Sequence, residues 1–278
     1  MKTLTDGGYS ISVVPTTGPC TAGDIACQAI REGSELILAA GGDGTLNEVI
    51  QGMAHSTVPL GVLPAGTANV LATEIGLGRD LNRAAEIIPK CVTRRIALGR
   101  LDYDAGPRYF LSMAGVGFDA QIVYDLNSGL KERLGKAAYW VAGFAHALKR
   151  FPEFEVEMDG KARGIGSFVL ASRVRNYGGD FEIARHASLA ADRFEVVVFR
   201  GRHALPYFKY LCGMVAGRLE GMGGVSFSTG LEVRVSDPAG RRIHLQVDGE
   251  YAGRLPASIV LMPNALTLLV PPDYANRE

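Results

Sequence analysis

Much of what marks the common metal, redox and secreted classes is missing from this 278-residue chain. Its four cysteines, Cys20, Cys27, Cys91 and Cys212, show no CxxC spacing, so reduced thiols in a cytosolic protein are the simplest account. The histidines, His55, His146, His186, His203 and His244, form no HExxH or similar ligand cluster. Neither sign of charge predominates: Lys plus Arg and Asp plus Glu are 29 each, so no global field draws the protein to nucleic acid or to an anionic membrane. Any lipid contact must therefore be local. No apolar run reaches the ~18 residues of a membrane span, and MKTLTDGGYS lacks the apolar core of a signal peptide, which predicts a soluble intracellular protein. A GxxxxGK motif followed by Ser or Thr is also absent, which excludes the P-loop enzymes. No internal repeat or low-complexity tract is found.

What is present is the composition of a globular protein, 47% apolar and 21% charged, with length enough for two domains. The chain is organised around ELILAAGGDGTLNEVIQGM, Glu35 to Met53. Glu35 to Ala40 suits a strand buried on both faces, while Leu46, Val49, Ile50 and Met53 recur at i, i+3, i+4 and i+7 of a helix. Thr45 and Glu48 read as a capping box on that helix. Gly41, Gly42 and Gly44 then sit at a helix N-terminus, where backbone N–H groups and the helix dipole favour a phosphate. Asp43 in their midst would repel phosphate unless it served a metal ion, a metal-bound water or a proton. The alternative is a tight turn with a solvated Asp43.

Around this unit strands and helices alternate. Ser10 to Pro15 reads as a strand, Ile25, Ala26, Ala29 and Ile30 as one face of a helix ending near Gly33, and Val58 to Pro64 as a buried strand. AGTANVLATEIG follows as a second glycine turn with Thr67 near a helix cap, and Asp80 caps a helix through Leu81, Ala84, Ala85 and Ile88. The alternation predicts a parallel, doubly wound sheet, with both glycine turns at carboxyl ends of neighbouring strands and facing one ligand. Thr67 and Asn69 can hydrogen-bond phosphate or ribose, or act only as cap and helix-surface residues.

From about Val92 nine strand-like runs follow, VTRRIALGRLDY, RYFLSMAG, FEVEMDG, IGSFVLAS, FEVVVF, LEVRVSD, RIHLQVDG, ASIVLMP and LTLLVP, which predict a mostly antiparallel second domain with the boundary near Leu98. Two helices interrupt them. One has an apolar stripe of Leu134, Ala138, Val141, Ala142, Ala145 and Leu148; the other carries Leu205, Phe208, Leu211, Val215 and Leu219. The stretch Leu130 to Arg150, basic at both ends with Tyr139, Trp140 and Phe144 between, reads as a core helix or as an interfacial patch. AGVGFDA, Ala114 to Ala120, matches GxGxxA outside the first strand-helix unit, so close packing of Gly115 and Gly117 explains it better than dinucleotide binding. QVDGEYAG, Gln246 to Gly253, reads as a hairpin turn that either leaves Asp248 and Glu250 solvated or aims one of them at a substrate as general base.

Taken together and in order, GGDGTLNEV (Gly41 to Val49), LPAGTANVLA (Leu63 to Ala72), FLSMAGVGFDA (Phe110 to Ala120) and VDGE (Val247 to Glu250) resemble the diacylglycerol kinase catalytic-domain family, in particular its bacterial lipid kinases, which are similar to sphingosine and ceramide kinases. The resemblance implies an NAD-kinase-like parallel α/β nucleotide domain over residues 1–98, a mostly antiparallel β-sandwich lipid-substrate domain over residues 99–278, and ATP in the cleft between them. It implies that Gly41, Gly42, Asp43, Gly44, Thr45, Leu46 and Asn47 wrap the ATP phosphates, joined by Gly66, Thr67 and Asn69 of the GTxN turn and by Thr16 after the preceding strand. It places the catalytic base at Glu250 with Asp248, and gives Asp43 a role with Mg²⁺.

The family usually begins with a further strand, a loop resembling NPxSG and a helix, so the first strand of the sheet is expected to be missing here or supplied by another segment or a partner. ASLAADRFEVVV, Ala187 to Val198, aligns with a family stretch that helps hold a structural magnesium; Ala190 and Ala191 occupy the acidic positions, which leaves Asp192 as the nearby metal candidate. The expected activity is transfer of the γ-phosphoryl of ATP to a hydroxyl of diacylglycerol or a related lipid. Rival readings are a kinase of a soluble acceptor such as NAD and an inactive nucleotide-binding regulatory protein. The protein is expected to be cytoplasmic with peripheral membrane contact, to bind no nucleic acid, and to have a strand edge that favours a homo-oligomer.

Overall fold

A computed structural model describes residues 2–127, 150–177 and 181–276. In chain order its elements begin with α1 (Lys2–Asp6), α2 (Ala22–Arg31), β1 (Ile37–Gly41), α3 (Asp43–Met53), β2 (Leu60–Pro64), α4 (Val70–Glu74) and α5 (Leu81–Ile87). There follow β3 (Val92–Tyr103), β4 (Gly106–Phe110), β5 (Met113–Gly117), α6 (Phe118–Asn127), β6 (Phe154–Met158), β7 (Lys161–Gly166), β8 (Phe168–Ser172), β9 (Asn176–Tyr177) and β10 (Phe181–Glu182). The chain continues through β11 (Phe194–Phe199), α7 (Ala204–Val215), β12 (Val225–Gly230), β13 (Glu232–Ser236), β14 (His244–Val247), β15 (Glu250–Arg254), β16 (Ala257–Val270) and α8 (Pro272–Ala275).

The chain divides into two compact units, Met1–Leu98 with Met262–Glu278, and Gly99–Leu261. The last stretch, which the sequence assigns to the second domain, thus belongs to the first unit. The reason is strand pairing. LTLLVP does not make a strand of its own but is the end of the 14-residue β16, which pairs parallel with β2 at Leu268 and Leu60. Leu269 packs with Leu4, Ala85 and Ile88, and the His55 N–H donates to the Ala265 carbonyl at 2.7 Å.

In the first unit β1 and β2 run parallel, from Ile37 opposite Leu60 to Gly41 opposite Pro64, as the strand-helix alternation predicts. Helix α3 packs on β1 and α5 on β2, while α2 and α3 cross so closely that a Cβ on Gly52 would lie 2.0 Å from the Gly23 carbonyl oxygen. Asp80 caps α5 by accepting the Arg83 N–H at 2.9 Å. The strand expected over Ser10 to Pro15 does not form: the stretch has no regular structure, and Val13 and Val14 are 64% and 55% exposed. An apolar run becomes a strand only when a neighbour satisfies its backbone groups.

The second unit contains an antiparallel sheet in the order β12-β11-β8-β5-β14-β15, and a second set in which β13 pairs β6, β6 pairs β7, and the start of β16 pairs β13. Its core includes Phe110, which stacks on Phe194 at 5.8 Å between ring centroids. The helix expected over Leu134 to Leu148, with Tyr139, Trp140 and Phe144, lies outside the described residues. No helix among the described residues is long and apolar enough to cross a membrane.

Candidate active site

The first glycine turn joins β1 to α3. Helix α3 starts at Asp43, with Gly42 in extended backbone at its N-cap (φ −91°, ψ −174°) and no side-chain cap. The N–H groups of a first helical turn stand outside the i to i−4 ladder; here the Leu46 N–H already joins it, donating to the Gly42 carbonyl at 3.1 Å. Thr45 is therefore inside the first turn and not at its cap. Its side chain folds over Gly41, where a Cβ would lie 2.6 Å from the Thr45 Cβ and Oγ1. Glu48 does not complete a capping box either: its carboxylate accepts the N–H groups of Cys20 at 2.9 Å and Ala22 at 3.2 Å, at the start of α2. Leu46 and Asn47 turn their side chains into the interior, Asn47 being 0% exposed.

The second turn, between β2 and α4, is fastened to the first. The Ala65 N–H donates to the Gly41 carbonyl at 3.0 Å, and the backbones of Gly42 and Gly66 approach so closely that a Cβ on Gly66 would lie 2.4 Å from the Gly42 Cα. Asp43 reaches across, its Oδ1 accepting the Val70 N–H at 2.8 Å at the start of α4. Asn69, left-handed at φ 49° and buried, holds the turn closed: its Oδ1 accepts the Gly66 N–H at 2.9 Å and its Nδ2 donates to the Gly66 carbonyl at 2.8 Å. Thr67 is exposed at the turn's tip. The two glycine turns thus form one backbone cradle within the first unit. Gly66→Ala is expected to force them apart, since the obstacle is backbone and cannot rotate away, with a cost on the order of 2 kcal/mol. Thermal unfolding and an ATP titration test this; Gly223→Ala, whose Cβ would meet nothing within 4 Å, should be silent.

In the second unit β14 and β15 form the expected hairpin, with Asp248 and Gly249 at φ 48° and 82°, a two-residue turn that needs positive φ at both positions. Asp248 is not solvated. Its Oδ2 accepts the Leu111 N–H at 2.9 Å, and its Oδ1 accepts those of Ser112 at 2.8 Å and Met113 at 3.0 Å. Glu250 makes an ion pair with Arg108, at 2.6 Å between Nη2 and Oε2, with its side chain 35% exposed. Of the two carboxylates, Glu250 is the one whose surroundings suit a general base, while Asp248 is anchored by three amides. Sequence reasoning missed Arg108 and the Leu111–Met113 amides, because RYFLSMAG reads simply as strand.

Gly115 and Gly117 serve packing, as expected: a Cβ on Gly115 would lie 2.4 Å from Asp119 Oδ2 and 2.5 Å from Gln246 Nε2, and one on Gly117 would lie 2.3 Å from the Ser167 carbonyl oxygen. Gln246 in turn donates to Asp119 at 2.7 Å and accepts the Gly249 N–H at 2.9 Å, which ties the hairpin turn to α6.

Thr16 is exposed in the irregular stretch before α2, and Asp192 is exposed just before β11. Glu195 is buried with its Oε2 accepting the His186 N–H at 2.7 Å; burial raises its pKa, partly offset by backbone N–H donors. Among the described residues no three His, Cys, Asp or Glu side chains are grouped to hold a metal ion. Asp192 belongs to no such group. Asp43, a single carboxylate beside a phosphate-type turn, fits the different pattern in which Mg²⁺ takes one or two protein carboxylates and the substrate's phosphates.

Comparison with known proteins agrees with this layout. Residues 1–101 match the family profile described as the diacylglycerol kinase catalytic domain, and residues 112–270 match the YegS C-terminal NAD kinase beta sandwich-like domain. The chain is 29% identical over 282 residues to a diacylglycerol kinase of Bacillus subtilis, covering 100% of this chain and 91% of that protein. It is 29% identical over 248 residues to a diacylglycerol kinase of Mycobacterium tuberculosis, covering 87% and 79%. A crystal structure of a diacylglycerol kinase from Bacillus anthracis superposes with a TM-score of 0.77 at 19% identity, covering 98% of this chain and 89% of that one, which shows the fold. An NAD-kinase-like α/β unit followed by an antiparallel β-sandwich defines a class of two-domain kinases. This chain belongs to the diacylglycerol kinase family, whose members are lipid kinases that use ATP.

Proposed function

We propose that this chain transfers the γ-phosphoryl group of ATP to a hydroxyl of diacylglycerol or a related membrane lipid. The observation that carries the reading is the double cradle: Gly42 against Gly66 at backbone contact, with Asp43 bonded to the second turn. Two glycine turns held this close leave room for phosphate oxygens beside a helix N-terminus and for no side chain.

Phosphoryl transfer is governed by positioning and charge neutralisation, and it needs no covalent nucleophile. In this reading the backbone of Gly41 to Thr45, with Gly66 and Thr67, holds the phosphates. Asp43 holds Mg²⁺, which would supply charge neutralisation on the phosphate oxygens. Leu46 and Asn47 support the cradle from behind through their packing, and Asn69 fixes the shape of the second turn. Glu250 accepts the proton of the acceptor hydroxyl, with its carboxylate held by Arg108. Asp248 shapes the hairpin that presents Glu250. Peripheral membrane contact follows from the nature of the acceptor.

The test is Mg²⁺-dependent phosphate transfer from labelled ATP, with diacylglycerol, phosphatidylglycerol, sphingosine and ceramide in mixed micelles, and NAD in solution. Labelling of one lipid is expected, and Glu250→Gln should lower kcat by about 10²–10⁴-fold with little change in ATP binding. Labelling of NAD without any lipid would replace this reading with a soluble-acceptor kinase, and ATP binding without turnover would replace it with a regulatory binder.

A further inference from the structure

Helix α7 is built the wrong way round for a helix on the surface of a water-soluble domain. Its twelve residues, ALPYFKYLCGMV, include one charge, Lys209. The inward side is aromatic and specific. Tyr207 packs on Phe118 and Phe151 and its hydroxyl shares a hydrogen bond with Ser167 Oγ at 2.8 Å; Tyr210 donates to the Arg200 carbonyl at 2.6 Å. Gly213 lets the helix lie against Met222, whose Sδ would be 2.1 Å from an added Cβ. Of the stripe read from sequence, Leu205, Phe208 and Val215 are on the other side, while Leu211 is half-buried and Leu219 is buried. Leu205 is 79% exposed, Phe208 53% and Val215 65%, and Cys212 is exposed with them. The spacing 205, 208, 212, 215 places all four along one outward face. A surface helix ordinarily puts its polar residues there.

We propose that this outward face of α7 is a docking surface for an anionic lipid bilayer. Charge supports that partner. From Val196 to Leu219 the chain has no Asp or Glu, while Arg200, Arg202 and His203 precede the helix, Lys209 lies in it and Arg218 follows it. Arg202 is paired with Glu153 at 2.5 Å and remains 70% exposed, and the next acid along the chain, Glu220, lies 3.7 Å from His186. An exposed apolar strip in a stretch with cations and no acid is the pattern of shallow insertion at a negatively charged headgroup region. The strip is also small. Four side chains suit insertion into an interface better than a stable contact between two copies, which takes roughly 20–30 residues a side.

The partner rests on the lipid-kinase reading above, so the experiment separates binding from turnover. The full chain is floated with phosphatidylcholine vesicles, with and without a one-third fraction of phosphatidylglycerol, beside Leu205→Ser/Phe208→Ser and Lys209→Glu/Arg218→Glu double variants. Wild type is expected to float with the anionic vesicles and less so in high salt. The serine variant should lose at least tenfold of that partitioning, and the glutamate variant should lose its salt-sensitive part. Unchanged thermal unfolding would show that both variants fold, and phosphorylation of lipid in detergent micelles would show separately whether the kinase reading stands. Flotation that is indifferent to both variants would overturn the proposal. So would wild type failing to float, or a wild-type dimer that the serine variant converts to monomer, which would assign the face to a second copy.

Discussion

Asp248→Ala is expected to be the most destabilising single substitution in the hairpin, and to act through folding before it acts on rate. Three backbone N–H groups, of Leu111, Ser112 and Met113, end on the Asp248 carboxylate, and all three residues are buried. Removing the acceptor leaves each donor without its partner, at about 1–3 kcal/mol apiece. Alanine must also adopt the left-handed backbone that Asp248 holds at φ 48°, which aspartate and asparagine tolerate better. The sum is several kcal/mol against a total stability of about 5–15 kcal/mol for an ordinary domain. Asp248→Asn separates the roles. Its amide oxygen can keep Ser112 and Met113, while its NH₂ opposes the Leu111 N–H, so the loss should be roughly 1–3 kcal/mol. Denaturant unfolding of the three proteins gives the ranking. If alanine unfolds no more readily than wild type, the amides do not depend on this carboxylate.

Asp43→Asn is expected to lower the rate strongly with little effect on structure. One bond that Asp43 makes in the fold is acceptance of the Val70 N–H, and an asparagine oxygen can accept it equally. What asparagine cannot supply is the negative charge. If that charge serves the metal and the phosphates, kcat should fall on the order of 10²–10³-fold while the melting temperature moves little. A variant that keeps full activity would reduce Asp43 to a strut between the turns. Loss of both activity and stability would mean that the charge itself holds the cradle together.

Much of the strand content could be read directly from the sequence. VTRRIALGRLDY and FEVVVF correspond residue for residue to β3 and β11 because apolar, β-branched runs with turn signals at both ends have few other folds open to them. The glycine turns could be read for the same reason, since glycine at a strand-to-helix junction permits backbone contacts that no other residue allows. Long-range hydrogen bonding could not. Glu48 sits at the spacing of a capping box, yet it binds amides 28 and 26 residues away at the start of α2. The strand expected over Ser10 to Pro15 failed because propensity is local and pairing is not. The outward face of α7 was hidden for a related reason: periodicity reports that a helix has an apolar side, and Tyr207 and Tyr210 decided which side turned in.

The way β16 is shared has a consequence for the order in which the protein is made. Synthesis delivers residues 1–98 first, but β2 acquires its β16 neighbour only after the whole of Gly99–Leu261 has emerged. The second unit, continuous in the chain, can fold as soon as it is complete, whereas the first must wait with Leu60 unpaired on that side until Leu268 arrives. The pairing of β2 with β16 is therefore a late contact for the first unit. A ribosome that stops before β16 leaves β2 without this neighbour and β13 without one of its own.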